Sequence, residues 1–245
     1  MPNYKILIEY DGTGFAGWQF QPDQPSVQGH LQHALQKLTG EKVRIYCSGR
    51  TDAGVHAWGQ VASFTLEKEF PTASLRGGLN FHLETPQISV LKVDEVGDEF
   101  HARFSAKGRR YRYHIVNRSS PIAILANRAW HVKPALDVAA MQEAASYLIG
   151  HHDFSSFRDS QCQAKSPLKT LDRLDVTADG EHIYVDVEAI SFLHHMVRNL
   201  TGTLVKVGNG NWQAHEVKQV LAAKDRKAGG PTAPAHGLYF CEVKY

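Results

Sequence analysis

Cysteine is scarce in this sequence. Cys47, Cys162 and Cys241 are odd in number, far apart, and without a CxxC pair among 245 residues. A disulfide framework and a thiolate metal site are thereby excluded, and ordinary buried thiols in a reducing compartment are expected. No apolar run approaches the roughly 20 residues of a membrane span. The start, Met1-Pro2-Asn3-Tyr4-Lys5, runs directly into a strand-like segment, so a soluble cytoplasmic protein with no membrane partner is expected. Several catalytic motifs are missing too: there is no GxSxG elbow, no P-loop and no HExxH helix. Nucleophilic serine, phosphoryl transfer and zinc hydrolysis lose their usual carriers.

Acidic residues are also missing from one long stretch. Between Glu99 and Asp137 the basic residues Arg103, Lys107, Arg109, Arg110, Arg112, Arg118, Arg128 and Lys133 occur with no carboxylate among them. Residues 1–100 hold 8 Lys/Arg against 12 Asp/Glu, and residues 101–245 hold 19 against 13, so halves of −4 and +6 make up the net +2. A charge cluster is most simply a solvated face. Here Tyr111 and Tyr113 are interleaved with the arginines, and phosphate contact combined with aromatic stacking is how RNA is bound. The fourteen histidines invite a metal site, but His151-His152 and His194-His195 are adjacent pairs, which on a helix point about 100° apart. No metal is expected.

Gly12-Thr13-Gly14-Phe15-Ala16-Gly17 fits GxGxxG after a good strand. Dinucleotide binding needs a helix opening at the third glycine, and Pro22 and Pro25 prevent one there. A glycine loop that lets nucleic acid or another loop pass close to its backbone fits better. A second glycine-bounded loop, Gly49-Arg50-Thr51-Asp52-Ala53-Gly54, sets a carboxylate two positions after a cation. Locally it reads equally well as an ionised acid offered to an anionic substrate or as an Asx turn or N-cap. A lone aspartate, arginine partners and aromatics suffice for covalent catalysis by a carboxylate on a base or sugar, provided water is kept out.

Periodicity predicts strands at 4–10, 43–47, 60–66 and 88–96, with helices at 26–39 and 71–81, in β-α-β-β-α-β order. The order repeats with strand 111–116, helix 137–149, strands 171–177 and 182–190, helix 192–207, an added helix 214–223, and strand 238–243. An α+β fold follows, with two tandem split βαβ halves, residues 1–105 and 106–245. They are expected to form one continuous, mainly antiparallel sheet with helices on one face and a central cleft. On the 192–207 helix His194 and Arg198, at i and i+4, share a flank, where Arg198 either reaches a cleft or makes a surface ion pair.

Seven motifs in order carry a family resemblance. They are Tyr10–Gln19, Gly49–Ala57, Phe100–Ala106, Arg110–Tyr113, His152–Arg158, Phe192–Asn199, and Ala223–Arg226 with Gly230–Pro234. Through them the chain closely resembles the TruA-type tRNA pseudouridine synthases. The resemblance implies two ferredoxin-like halves, a homodimer, no cofactor, and isomerisation of uridines at positions 38, 39 and 40 of the tRNA anticodon stem-loop. It makes Asp52 the nucleophile and Arg50 the residue that displaces the target base. It also makes Tyr111 the ring that stacks on uracil and Arg198 the cation that pairs with the aspartate, with Arg109, Arg110 and Arg112 as RNA contacts. The segment Asn80–Pro86 departs from the family pattern, a loop variation. A non-catalytic tRNA-binding or chaperone protein on the same scaffold is the alternative, and it would not need Asp52 or Arg198.

Overall fold

Strand β1 (Asn3–Tyr10) buries Tyr4, Ile6, Ile8 and Tyr10, the period-two pattern of its sequence, in a computed structural model that describes residues 1–245. It opens the first of two units, residues 1–107 with 240–245. Helix α1 (Val27–Thr39) starts where the Ser26 hydroxyl accepts the Gly29 N–H and stops at Gly40, whose φ of 79° is left-handed. Its buried residues Val27, Leu31 and Leu35 follow the helical stripe. Strands β2 (Tyr46–Cys47) and β3 (His56–Thr65), helix α2 (Thr72–His82) and strand β4 (Ile88–Val96) follow. A Cβ on Gly78 of α2 would overlap the Leu38 methyls of α1, so glycine is what brings these helices together. The strands run β4-β1-β3 with β2 on the far side of β3, all antiparallel, the order of a split βαβ unit.

The second unit, residues 108–239, holds β5 (Gly108–Asn117), β6 (Trp130–Val132), α3 (Val138–Ser146), β7 (Gly150–Asp153), β8 (Leu168–Asp179), β9 (His182–Ala189), α4 (Met196–Gly208) and α5 (Glu216–Ala223). The final strand, β10 (Leu238–Lys244), returns from Phe240 onward to the first unit. Within the second unit the order β5-β9-β8-β7 is antiparallel, and β6 pairs with β5 in parallel.

Several elements differ from their sequence expectation. Residues 43–45 do not join β2, and α3 ends at Ser146. Helix α4 begins at Met196, because His195 takes a left-handed φ of 60°. Leu193 is buried by the preceding turn, in which the Met196 N–H donates to its carbonyl. His194 therefore lies outside the helix, and it and Arg198 are not i and i+4 of one helix. Strands β6 and β7 went unanticipated. Both are short, and in β7 the polar His151 and His152 reach Thr170 Oγ1 and the Ile149 carbonyl respectively.

Strand β5 alternates strictly. Tyr111, Tyr113 and Ile115 share one face with Arg109, while Arg110, Arg112 and His114 take the other. Arg112 stands directly opposite Asp186 of β9 and holds that buried carboxylate with two hydrogen bonds of 2.9 and 2.8 Å. Next along this face, His114 stacks on Tyr184 and places Nε2 3.0 Å from Nδ1 of His182. Burial, aided by His182 and Arg112, lowers its pKa from 6.5 to about 4. Between those values the unfolded chain binds the proton more readily than the folded one, so this site costs nothing above about pH 6.5 and destabilises the fold as pH falls toward 4. Urea midpoints measured across that window should decline with acidity, and the decline should be shallower in His114→Gln.

Candidate active site

The loop between β2 and β3 is fixed along its backbone. The Ser48 hydroxyl donates to Gln60 Oε1 (2.7 Å), and Gln60 Nε2 donates to the Gly49 carbonyl (2.8 Å). The hydroxyls of Tyr10 and Thr51 share a 2.7 Å bond, and the Trp18 N–H donates to the Thr51 carbonyl at 3.0 Å. A turn then closes as the Val55 N–H donates to the Asp52 carbonyl (3.1 Å), with Gly54 left-handed at φ 78°. Burial outweighs the opposing Thr51 and Gln60 bonds and leaves the Tyr10 phenol far above its ordinary pKa, a neutral strut. Asp52 itself is half-buried and Arg50 exposed.

The glycine loop explains this rigidity. A Cβ on Gly12 would overlap the Val55 carbonyl, and one on Gly17, whose φ is 101°, would lie 2.6 Å from the Thr51 carbonyl oxygen. The Gly12 N–H also donates to His56 Nδ1 at 3.0 Å. Of the two uses left open for the GxGxxG segment, close passage of another loop is the one realised, and the next helix starts only at Val27.

In the second unit Tyr111 is buried with its ring edge-to-face against Phe192, 5.0 Å between centroids. Phe192 leads into the turn before α4, whose first turn carries Arg198. Arg198 Nε donates to the Ala233 carbonyl (2.7 Å), and the Ala233 N–H returns a bond to the Arg198 carbonyl (3.1 Å). Buried Asn199 anchors the same region. Its Nδ2 donates to the Phe157 carbonyl, and its Oδ1 accepts from Arg226 and Thr232. Tyr113, on the Tyr111 face, donates to the Pro234 carbonyl (2.7 Å). Arg109 donates to the Ile190 carbonyl, and the Arg112 guanidinium lies 4.8 Å from the Tyr184 ring in addition to its Asp186 pair.

His194 and His195 both face Asp159, at 3.5 and 2.7 Å. Burial opposes ionisation of Asp159, yet the Gln161 N–H, the His195 bond and the fields of both histidines pull its carboxyl below the usual range. Thus Asp52 and Arg50 share one loop of the first unit, and Tyr111, Arg109, Arg110, Arg112 and Arg198 belong to the second. The residues that single-sequence reasoning missed are the supports: Tyr10, Trp18, Gln60, Phe192, Asn199 and Ala233. Tyr10, Trp18, Phe192, Asn199 and Ala233 do lie within the recurrent motifs, the one signal that could have found them.

The chain matches the tRNA pseudouridine synthase family over residues 6–105 and 144–245. Asp52 lies in the first matched segment and Arg198 in the second, with Tyr111 and the β5 arginines between them. It is 54% identical over 245 residues to tRNA pseudouridine synthase A of Paramagnetospirillum magneticum, covering 100% of this chain and 96% of that one. The proteins of the same name from Rhodospirillum centenum and Sinorhizobium fredii are 53% and 51% identical, with 100% of each chain covered. On that similarity along its whole length, the chain belongs to the tRNA pseudouridine synthase family of isomerases.

Proposed function

We propose that this enzyme converts uridine to pseudouridine in the anticodon stem-loop of tRNA, working as a cytoplasmic homodimer with Asp52 as its nucleophile. The observation that carries this reading is the Asp52 loop itself, whose backbone is pinned on both sides while the carboxylate stays partly open to solvent. A carboxylate on a pinned backbone loses less entropy in reaching its target. The reaction breaks the N1–C1′ glycosidic bond, turns the uracil, joins C5 to C1′, and exchanges a proton at C5 for one at N1. Atoms and oxidation state are conserved, so no oxidant, reductant or group donor is required.

Asp52 serves by adding to C6, by attacking C1′, or by removing the 2′ proton to give a glycal. Every route needs the base out of its stack, which costs a few kcal/mol. Arg50, exposed two residues before Asp52, is suited to the space the base vacates. Tyr111 offers a ring for the uracil, and Arg198 offers a positive charge to the reaction. The β5 arginines supply phosphate contacts to different extents.

Asp52→Asn keeps the side-chain volume and removes the nucleophile. Tritium release from C5-labelled uridine in a tRNA transcript should fall to background while tRNA affinity is retained, and ordinary turnover would refute the assignment. Neutralising a phosphate-contacting arginine of β5 should flatten the dependence of log affinity on log salt by about one unit. If the triple replacement of Arg109, Arg110 and Arg112 leaves affinity and slope intact, this stretch is only a solvated face.

A further inference from the structure

Residues 1–100 are net acidic, yet Lys42 and Arg44 stand there without any carboxylate partner. Both line a cavity of about 590 Å³ beside α1, with Phe20, Gln32, His33 and Gln36, and no residue of its wall is acidic. Gln28 holds that wall in place. Its Nε2 donates to the Ile45 carbonyl (2.9 Å), and its Oε1 accepts the Phe20 N–H (2.8 Å). Arg44 then leads out of the cavity to a row of rings. Its guanidinium lies 5.2 Å from the Tyr46 centroid, Tyr46 lies 5.0 Å from His101, and His101 lies 4.5 Å from Phe104. Arg103 closes the row 5.8 Å from Phe104. Phe104 is 78% exposed, Phe20 53% and Tyr46 42%. In the chain the row begins close to the candidate site, since Tyr46 lies on β2 only four residues before Arg50. Glu41 and Glu67 border an adjoining recess, where the Glu41 carboxylate accepts the N–H groups of Glu67 and Lys68.

We propose that this strip, from the Phe20–Lys42–Arg44 cavity along Tyr46, His101 and Phe104, is an RNA-binding track in the first unit. It rests on the reading that tRNA is the substrate, and it adds a surface apart from the β5 arginines. Lys42 and Arg44 meet phosphodiesters, the glutamine amides of the cavity reach base edges, and the exposed rings stack on unpaired bases. A protein partner suits the strip less well, because protein interfaces are depleted of lysine and centre on a charge-poor core.

Binding to a full tRNA transcript and to the isolated anticodon stem-loop, measured across a salt series in the Asp52→Asn background, tests the track apart from turnover. The pair Lys42→Gln with Arg44→Gln should raise Kd about tenfold and flatten the salt slope by about two units, and Arg44→Lys should keep the slope. Phe104→Ala and Tyr46→Ala should each raise Kd about tenfold without changing the slope. With Asp52 intact, the same variants should raise KM and leave kcat alone. Unchanged Kd and slope in all of them would overturn the proposal. So would loss of self-association by sedimentation with tRNA affinity intact, which would make the strip a protein interface. Should the double variant lose its native melting transition, Phe104→Ala decides, because that ring is too exposed to support the fold. Failure of the catalytic reading shows elsewhere, as turnover by Asp52→Asn or none by the unmodified chain.

Discussion

Two stretches of backbone in direct contact hold the candidate site of the first unit. At Gly12 and Gly17 the loop after β1 has no Cβ, and there the carbonyls of Val55 and Thr51 occupy the space any other residue would fill. The contact turns a loop into a platform. Once the backbone is fixed this closely, the Tyr10 hydroxyl, the Trp18 amide and the Gln60 side chain fall within hydrogen-bond distance of residues 49–51, and the backbone that carries Asp52 is held. A carboxylate that must meet one atom of a nucleotide gains more from such preorganisation than from any further contact of its own.

The second unit uses the same device. A Cβ on Gly202 of α4 would overlap the Pro231 carbonyl, and one on Gly230 would lie 2.7 Å from the Thr203 Cα. The segment 230–234 is thereby laid along α4, where Ala233 exchanges two hydrogen bonds with Arg198 and Thr232 joins the Asn199–Arg226 cluster. No buried side-chain nitrogen or oxygen in the chain lacks a partner. Polar groups this well satisfied fix a single arrangement of the region.

Much of the fold was legible because the residues that mark it act locally. Ser26 and Gly40 bracket α1 as capping chemistry requires, and alternation along β1 gives its buried face. Strands β6 and β7 were not legible, since three or four residues carry too little periodicity and their pairing is decided by β5 and β8. The start of α4 was misread for a related reason. Leu193 continues the apolar stripe, and nothing in a sequence announces that His195 will adopt a positive φ. Asp52 stood out as chemistry but not as a site, because an aspartate between glycines serves a turn equally well. Its supports act through space, and only motif resemblance hinted at them. The unpaired cations at Lys42 and Arg44 were hidden for the opposite reason, since they sit in the half whose overall charge is negative.

Close passage of the glycine loop fixes the backbone that carries Asp52, the proposed nucleophile. Gly12→Ala tests it most directly, because the backbone at Gly12 is not left-handed and the added methyl acts only through its collision with the Val55 carbonyl. Single-turnover kinetics at saturating tRNA should show the rate of pseudouridine formation falling by about a hundredfold, with tRNA affinity retained and the melting transition lowered but still cooperative. An unaltered single-turnover rate in a folded Gly12→Ala chain would contradict the account.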